Sequence, residues 1–240
     1  MHSPFVFHFI LNVLNNKCNY IPPKEIEDLR NKLLQDKREI KIEDLGAGSR
    51  TSTKKTRSVH QLARTAVKPK KYSQLLYRLM SHYKPQNVVE LGTSLGITTS
   101  YLAAANPSAN IITIEGSPAV AKIAGENFAQ LQLNDIKQEV GNFDDILPSV
   151  IHQLSSIDLA YIDGNHRYKP TMNYFQKFLE KHHNDTIMIF DDIHWSAEME
   201  KAWEEIKLHE AVRCTVDIFF LGFVFFRREF KAKQHFTVRF

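Results

Sequence analysis

The sequence predicts a doubly wound α/β fold: a seven-stranded, mostly parallel sheet with an antiparallel C-terminal hairpin and an N-terminal helical extension. Three observations carry this. From residue 87 onward, short apolar runs alternate with segments of helical length, the pattern of right-handed crossovers over a parallel sheet covered on both faces. Near the end, "RCTVDIFF" and "FVFFRRE" flank Leu221-Gly222, which reads as a tight hairpin turn. Before residue 87, apolar residues recur at helical spacing instead.

The elements follow in order. In "MHSPFVFHFILNVLNNK", Phe5, Phe9 and Val13, and also Phe7, Ile10 and Leu14, fall at helical spacing. The run is interrupted by His8 and Asn12, is too short to span a bilayer, and has neither a positive n-region nor a cleavage site. An amphipathic helix packed on the main domain is expected. Residues 22–36 read as a helix with Pro23 near its start and Ile26, Leu29, Leu33 and Leu34 on one face. A basic stretch follows, and "KPKK" at residues 68–71 reads as a break before the helical "YSQLLYRLMSHY". The expected strands are "NVVEL", "NIITIE", "IKQEV", "IDLAYID" and "TIMIFDD", and "HFTVRF" is a candidate further edge strand. Helices are expected at "TTSYLAAA", "PAVAKIAGENFAQL" and residues 145–154, 170–182 and 196–209. The division that results is an arm with a basic, lid-like segment over residues 1–70 and a main domain over 71–240.

A chain of 240 residues, 43% hydrophobic and 24% charged, can bury a full core without staples. Cys18 and Cys214 match no metal or redox spacing, so two reduced thiols in a cytoplasmic protein are expected. The formal net charge of +4 is uneven: Lys and Arg crowd the stretch from Arg50 to Lys71, which contains no acid. Such a run can grip phosphates, but is more often a solvated face.

Two glycine loops compete for a nucleotide cofactor: "IEDLGAGSR", residues 42–50, and "VVELGTSLGITTS", residues 88–100. A cofactor loop needs a buried strand before it, a helix after it, and an acid at the end of the next strand. The first loop follows "KREIKI", at best a half-exposed strand, and precedes "RTSTKKTRSVH", which has no apolar face. The second meets all three conditions, with Glu115 ending "IITIE". A dinucleotide fingerprint would want glycines at 92, 94 and 97, but 94 is Ser and 97 is Ile; a phosphate loop would want Gly-Lys-Ser/Thr, but Ile follows Gly96.

What stands is E-x-G-x-x-x-G followed by a strand ending in Glu, and this resembles the Rossmann-like class I methyltransferases that use S-adenosyl-L-methionine (SAM). The resemblance implies that Glu90, Gly92, Thr93, Ser94, Gly96 and Thr98 form the loop at the methionine end of the cofactor. It implies that Glu115, with Gly116, takes the ribose, and that Gly141, Asn142 and Phe143 of "EVGNFDDILP" border the adenine. Thr98 read alone is equally a helix N-cap, and Phe143 equally core.

The fourth strand ends in "YIDGNHRY", without the Pro-Pro turn of nucleic-acid base methyltransferases. It is similar instead to the metal-dependent small-molecule O-methyltransferases of the catechol, caffeoyl-CoA and sugar-modifying kind. That likeness implies a divalent ion (Mg²⁺, Mn²⁺ or Ca²⁺) on Asp163, Asp191 and Asp192, and Asp163 also beside the cofactor. Three crowded carboxylates repel one another unless a cation or protons neutralise them, and oxygen ligands suit those ions. His166 stands where the catechol enzymes carry a basic Lys, and an imidazole is a suitable base for a hydroxyl. Asp163 and His166 are therefore the candidate catalytic residues. Asp191-Asp192 departs from the Asp-Asn of the catechol enzymes, and "DIFFLGFVFF" offers no acid for a second hydroxyl, so catechol itself is not expected. Trp195, Phe219 and Phe220 are candidates for an apolar acceptor pocket or for core.

The expected activity is methyl transfer from SAM to a hydroxyl of a small molecule. The expected partners are that acceptor and a second copy of the chain in a homodimer, with nucleic acid and membrane not expected. Two rivals stay open: a nucleic-acid or protein methyltransferase docking through residues 50–71, and a SAM-binding protein without catalysis. "GAGSR" is expected to be a lid over the cleft, or else a surface loop.

Overall fold

The structure, a computed structural model, describes residues 3–16, 19–42 and 56–240. The "GAGSR" segment and Cys18 lie outside the described residues.

One sheet of eight strands organises the chain. In chain order after a small β1–β2 ladder (Glu39–Lys41 and Thr56–Ser58) come β3 (Asn87–Leu91), β4 (Asn110–Glu115), β5 (Ile136–Val140), β6 (Leu159–Ile162) and β7 (Ile187–Asp191). β8 (Cys214–Asp217), β9 (Leu221–Phe225) and β10 (Gln234–Thr237) complete it. The spatial order is β10-β8-β9-β7-β6-β3-β4-β5. β5 through β7 run parallel, while β9 is antiparallel to both β7 and β8. The order reverses between β3 and β6, and in such sheets the crevice beyond the carboxyl ends at that reversal is where ligands bind.

Strand residues alternate between two apolar layers, as period-two geometry requires. Val88, Ile111, Leu159, Ile187 and Phe223 face α4 (Lys70–Tyr83) and α1 (Pro4–Phe9). Val89, Ile112, Ala160, Met188 and Val224 face α7 (Phe143–Gln153), α8 (Tyr168–Leu179) and α9 (Ala197–Leu208). A third cluster packs α2 (Lys24–Leu33) and α3 (Val59–Thr65) onto α5 (Ile97–Ala105) and α6 (Pro118–Gln130). No helix among the described residues is long and apolar enough to cross a membrane.

The candidate edge strand in "HFTVRF" is present as β10, parallel to the outer edge of β8, which brings the seven-stranded sheet to eight. Two expectations are corrected. The hairpin turns at residues 218–220, where Phe219 takes φ +76, and Leu221 and Gly222 lie inside β9. Gly222 is there for room, since a Cβ would meet the Trp203 ring at 2.7 Å. The first helix widens into a π-turn over Ile10–Leu14, which buries Val6, Phe9, Val13 and Leu14 and leaves Phe7 exposed. Its terminal carbonyls are not orphaned: the buried Arg78 guanidinium donates to the oxygens of Val13 (2.7 Å) and Leu14 (3.2 Å).

Candidate active site

The chain leaves β3 at Gly92, φ +101, and enters α5 at Gly96, φ +76. Both glycines are dictated by close approach as well as by φ. A Cβ on Gly92 would strike the Asp163 carbonyl oxygen of β6's end, and one on Gly96 would strike the Phe128 ring. Beneath the loop, Glu90 is fully buried. Its Oε2 accepts from Thr99 Oγ1 (2.5 Å) and Thr113 Oγ1 (2.6 Å), while Oε1 is buried without a hydrogen-bond partner. Burial pushes its carboxyl up to about 8, against the opposing pull of the two hydroxyls. Thr93 belongs to this buried network through Thr113 (2.6 Å).

At the end of β4 the Glu115 carboxylate is clasped by two backbone amides, Ser94 N–H onto Oε2 and Ser117 N–H onto Oε1, each at 2.9 Å. Ser94 is held at φ +49, so the Glu115 contact fixes an unfavourable turn. At the end of β5, Gly141 N–H bonds the Glu115 carbonyl (2.9 Å), and Asn142 Oδ1 caps α7 by accepting from Asp144 N (3.0 Å). The Phe143 ring packs over Gly164 and edge-on to Tyr174, with centroids 5.9 Å apart.

These ends border one cleft of about 870 Å³. Of the residues expected at the cofactor, Gly92, Ser94, Glu115, Gly116, Asn142, Phe143 and Asp163 line it. Thr93 and Thr98 border a small adjoining recess behind the loop, Glu90 is buried beneath it, and Gly96 and Gly141 do not line the cleft.

The second half of the cleft is built by β6 and β7. Asp163 accepts from Tyr161 Oη (2.9 Å), and His166 Nε2 lies 3.6 Å from Asp163 Oδ1. Among the described residues, Asp163, Asp191 and His166 bring ligand-type atoms within 4.8 Å of one another. Asp192 lines the cleft but is not in that group; it occupies φ +53 and bonds the Phe220 carbonyl through its N–H (2.7 Å). His194 is engaged elsewhere, by Asp217 (2.8 Å) and by stacking on the exposed Phe219. Trp195 and Phe220 line the cleft mouth rather than the core, with Tyr72 against Phe220 at 5.4 Å.

The sequence did not reveal Lys68. Its Nζ bonds Asp191 Oδ2, and the two side chains are only 10% and 1% exposed. Burial pulls this ammonium toward neutrality, but Asp163, Asp191 and Asp192 outweigh it and hold it protonated. Asp163 is lowered in spite of burial, by Lys68 and then His166; Asp191 is raised, by burial first and by Asp163 next. Lys68 was concealed in a run of basic residues that reads as solvated. Tyr161 was legible, since period two places it on the same strand face as Asp163.

Glu115, presented at the cleft, fits a ligand carrying a ribose, while Glu90 is buried beneath the loop that would carry the ligand. The metal set fits less well. Two carboxylates and an imidazole are competent donors, but an ion on Asp191 would stand beside a buried ammonium already paired with that carboxyl.

The fold is the Rossmann-like fold of solved methyltransferases. Residues 89–193 match the family model described as "Methyltransferase domain". The chain is 30% identical over 126 residues to a catechol O-methyltransferase of Niastella koreensis, covering 51% of this chain and 55% of that protein. It is 30% identical over 105 residues to a tRNA (guanine-N(7)-)-methyltransferase of Mycoplasma mobile, covering 40% and 52%. The matches thus span about half the length of these curated relatives. An O-methyltransferase from Bacillus cereus, solved with S-adenosylhomocysteine (SAH), shares the fold at a TM-score of 0.63 and 18% identity, over 90% of this chain and 97% of that one.

Proposed function

We propose that the protein is a cytoplasmic O-methyltransferase that transfers the methyl group of SAM to a hydroxyl of a small, partly apolar molecule. The observation that carries this is the single cleft in which the Glu115 clasp and the Asp163–His166 pair face the same space. Its volume of about 870 Å³ is at the upper end of small-molecule sites, enough for a cofactor and a small acceptor together. When bound, SAM supplies an electrophilic methyl group on a sulfonium, which an oxygen nucleophile accepts.

The remaining work falls to the chain. Glu115, oriented by the Ser94 and Ser117 amides, accepts the ribose hydroxyls. Asn142 and Phe143 flank the adenine, and Glu90 supports the methionine end. Tyr72, Trp195 and Phe220 exclude water around the acceptor. His166, with Nε2 toward Asp163, takes the hydroxyl proton at Nδ1, and Asp163 steadies the imidazolium. The catechol O-methyltransferase relative supports oxygen as the acceptor atom. The tRNA methyltransferase relative favours the rival reading, a nucleic acid docked on the basic run, but one lysine of that run, Lys68, is turned inward.

The test is calorimetry with SAH followed by turnover on a panel of phenols, sugars and an RNA transcript. Binding of SAH with methylation of small hydroxyls supports the proposal. Methylation of the RNA alone would replace it with the rival.

A further inference from the structure

We propose that Lys68 is the resident cation of the carboxylate cluster, standing where metal-dependent methyltransferases hold a divalent ion, so that this site works without one. The inference rests on the cleft being the methyltransferase site described above.

Position comes first. Lys68 Nζ sits on Asp191 Oδ2, and Asp163 and Asp192 act on the same ammonium. A divalent ion bound to Asp191 would stand within a few ångströms of that ammonium, and like charges so close, in a site this dry, repel strongly. The ammonium could yield only by swinging its stem out of this buried ion pair into the cleft.

The backbone is anchored. The Lys68 carbonyl accepts from Arg30 Nη1 (2.7 Å) and from Ser73 Oγ (3.3 Å). Arg30 Nη2 in turn bonds Ser73 Oγ (3.1 Å), and Glu27 holds Arg30 Nε at 3.1 Å. Arg30 and Ser73 are both buried, and Pro69 follows as the N-cap of α4 with φ −54. Two helices therefore converge on one carbonyl to aim one side chain. A solvated surface lysine has no need of such a mount, and the other lysines near it, Lys70 and Lys71, are exposed.

Asp191 meets the Asp163 carboxyl as well as Lys68, so the ammonium offsets the charge of a carboxylate pair. Arg30 is then a positioning residue, acting only through Lys68.

The experiment is Mn²⁺ binding followed by electron paramagnetic resonance on the full chain, with SAH binding and near-ultraviolet circular dichroism as controls for folding. Wild type should leave millimolar Mn²⁺ free at this site, and its turnover should be unchanged by EDTA. Lys68→Met should bind one Mn²⁺ roughly 10²-fold more tightly than wild type, through the repulsion removed, and adding Asp191→Asn should abolish the gain. Lys68→Gln serves if Lys68→Met does not fold, with the same expected gain. One Mn²⁺ bound by wild type and lost in Asp191→Asn would overturn the proposal. So would no gain in either Lys68 variant, because the carboxylates would then be no cation site at all. Failure of wild type to bind SAH sinks the methyltransferase reading separately, whatever the Mn²⁺ result.

Discussion

A Cβ placed on Gly92 would lie 2.0 Å from the carbonyl oxygen of Asp163. The glycine loop and the end of β6 thus touch backbone to backbone, at the point where the sheet order reverses, so the loop and Asp163 form one unit. Gly92→Ala would impose both this overlap and a left-handed backbone on a residue with a side chain. The expected cost is about 2–6 kcal/mol of stability, with SAH binding lost alongside. Denaturant unfolding and calorimetry check this; a variant of wild-type stability that loses only SAH would mean that the glycine serves the ligand alone.

Glu115→Ala removes the acceptor for two amides, which costs about 1–3 kcal/mol for each one left buried and unpaired. Ser94 then has nothing to hold its left-handed turn, so the loop loosens. SAH affinity should fall by at least roughly tenfold, measured by calorimetry. Affinity within twofold of wild type would remove Glu115 from ribose recognition.

Glu90 gives a pH dependence with a definite sign. Its carboxyl, normally near 4.5, is raised by burial to about 8 in the folded chain. Between those values the folded state holds a proton that the unfolded state has released, so this group's contribution makes stability fall as pH rises. Glu90→Gln keeps a neutral, hydrogen-bonding side chain at all pH values. The melting temperature of wild type should therefore drop from about pH 5 to about pH 8 by more than that of Glu90→Gln; parallel curves would contradict the neutral carboxyl.

His166→Ala should leave SAH binding intact, because the ring touches the acceptor side of the cleft. Turnover should fall by roughly 10²–10⁴, the usual worth of a positioned base. Single-turnover methylation of a small hydroxylated acceptor checks this. A fall below about threefold would transfer the proton to another group.

The β3–β7 stretch was legible because strands buried on both faces read as unbroken apolar runs, and a parallel sheet brings their carboxyl ends together whatever lies between. That argument brings the ends of β6 and β7 together and so Asp163 with Asp191, whereas Asp192, expected beside them, lies outside the group. It failed where a residue's purpose is spatial rather than local. Gly222 read as a turn and is a gap for Trp203; Lys68 read as a solvated charge and is buried on Asp191. Neither signal is periodic, since each depends on a partner more than 15 residues away in sequence. The first glycine loop read as a poor cofactor site because β1 is only half covered, and the structure has that strand paired with β2 outside the main sheet.

The aromatic contacts of α1 set an order of events during synthesis. Phe9 meets Phe223 and Phe225 with ring centroids 5.3 and 5.5 Å apart, and Phe5 meets Phe225 at 4.9 Å. At about 5–20 residues per second, the ribosome delivers those partners roughly 10–40 s after Phe9. Throughout that interval Val6, Phe9 and Val13 have no β9 to cover them, and the nascent chain carries an apolar face that chaperones can grasp. A helix made before the sheet is among the last elements to find shelter.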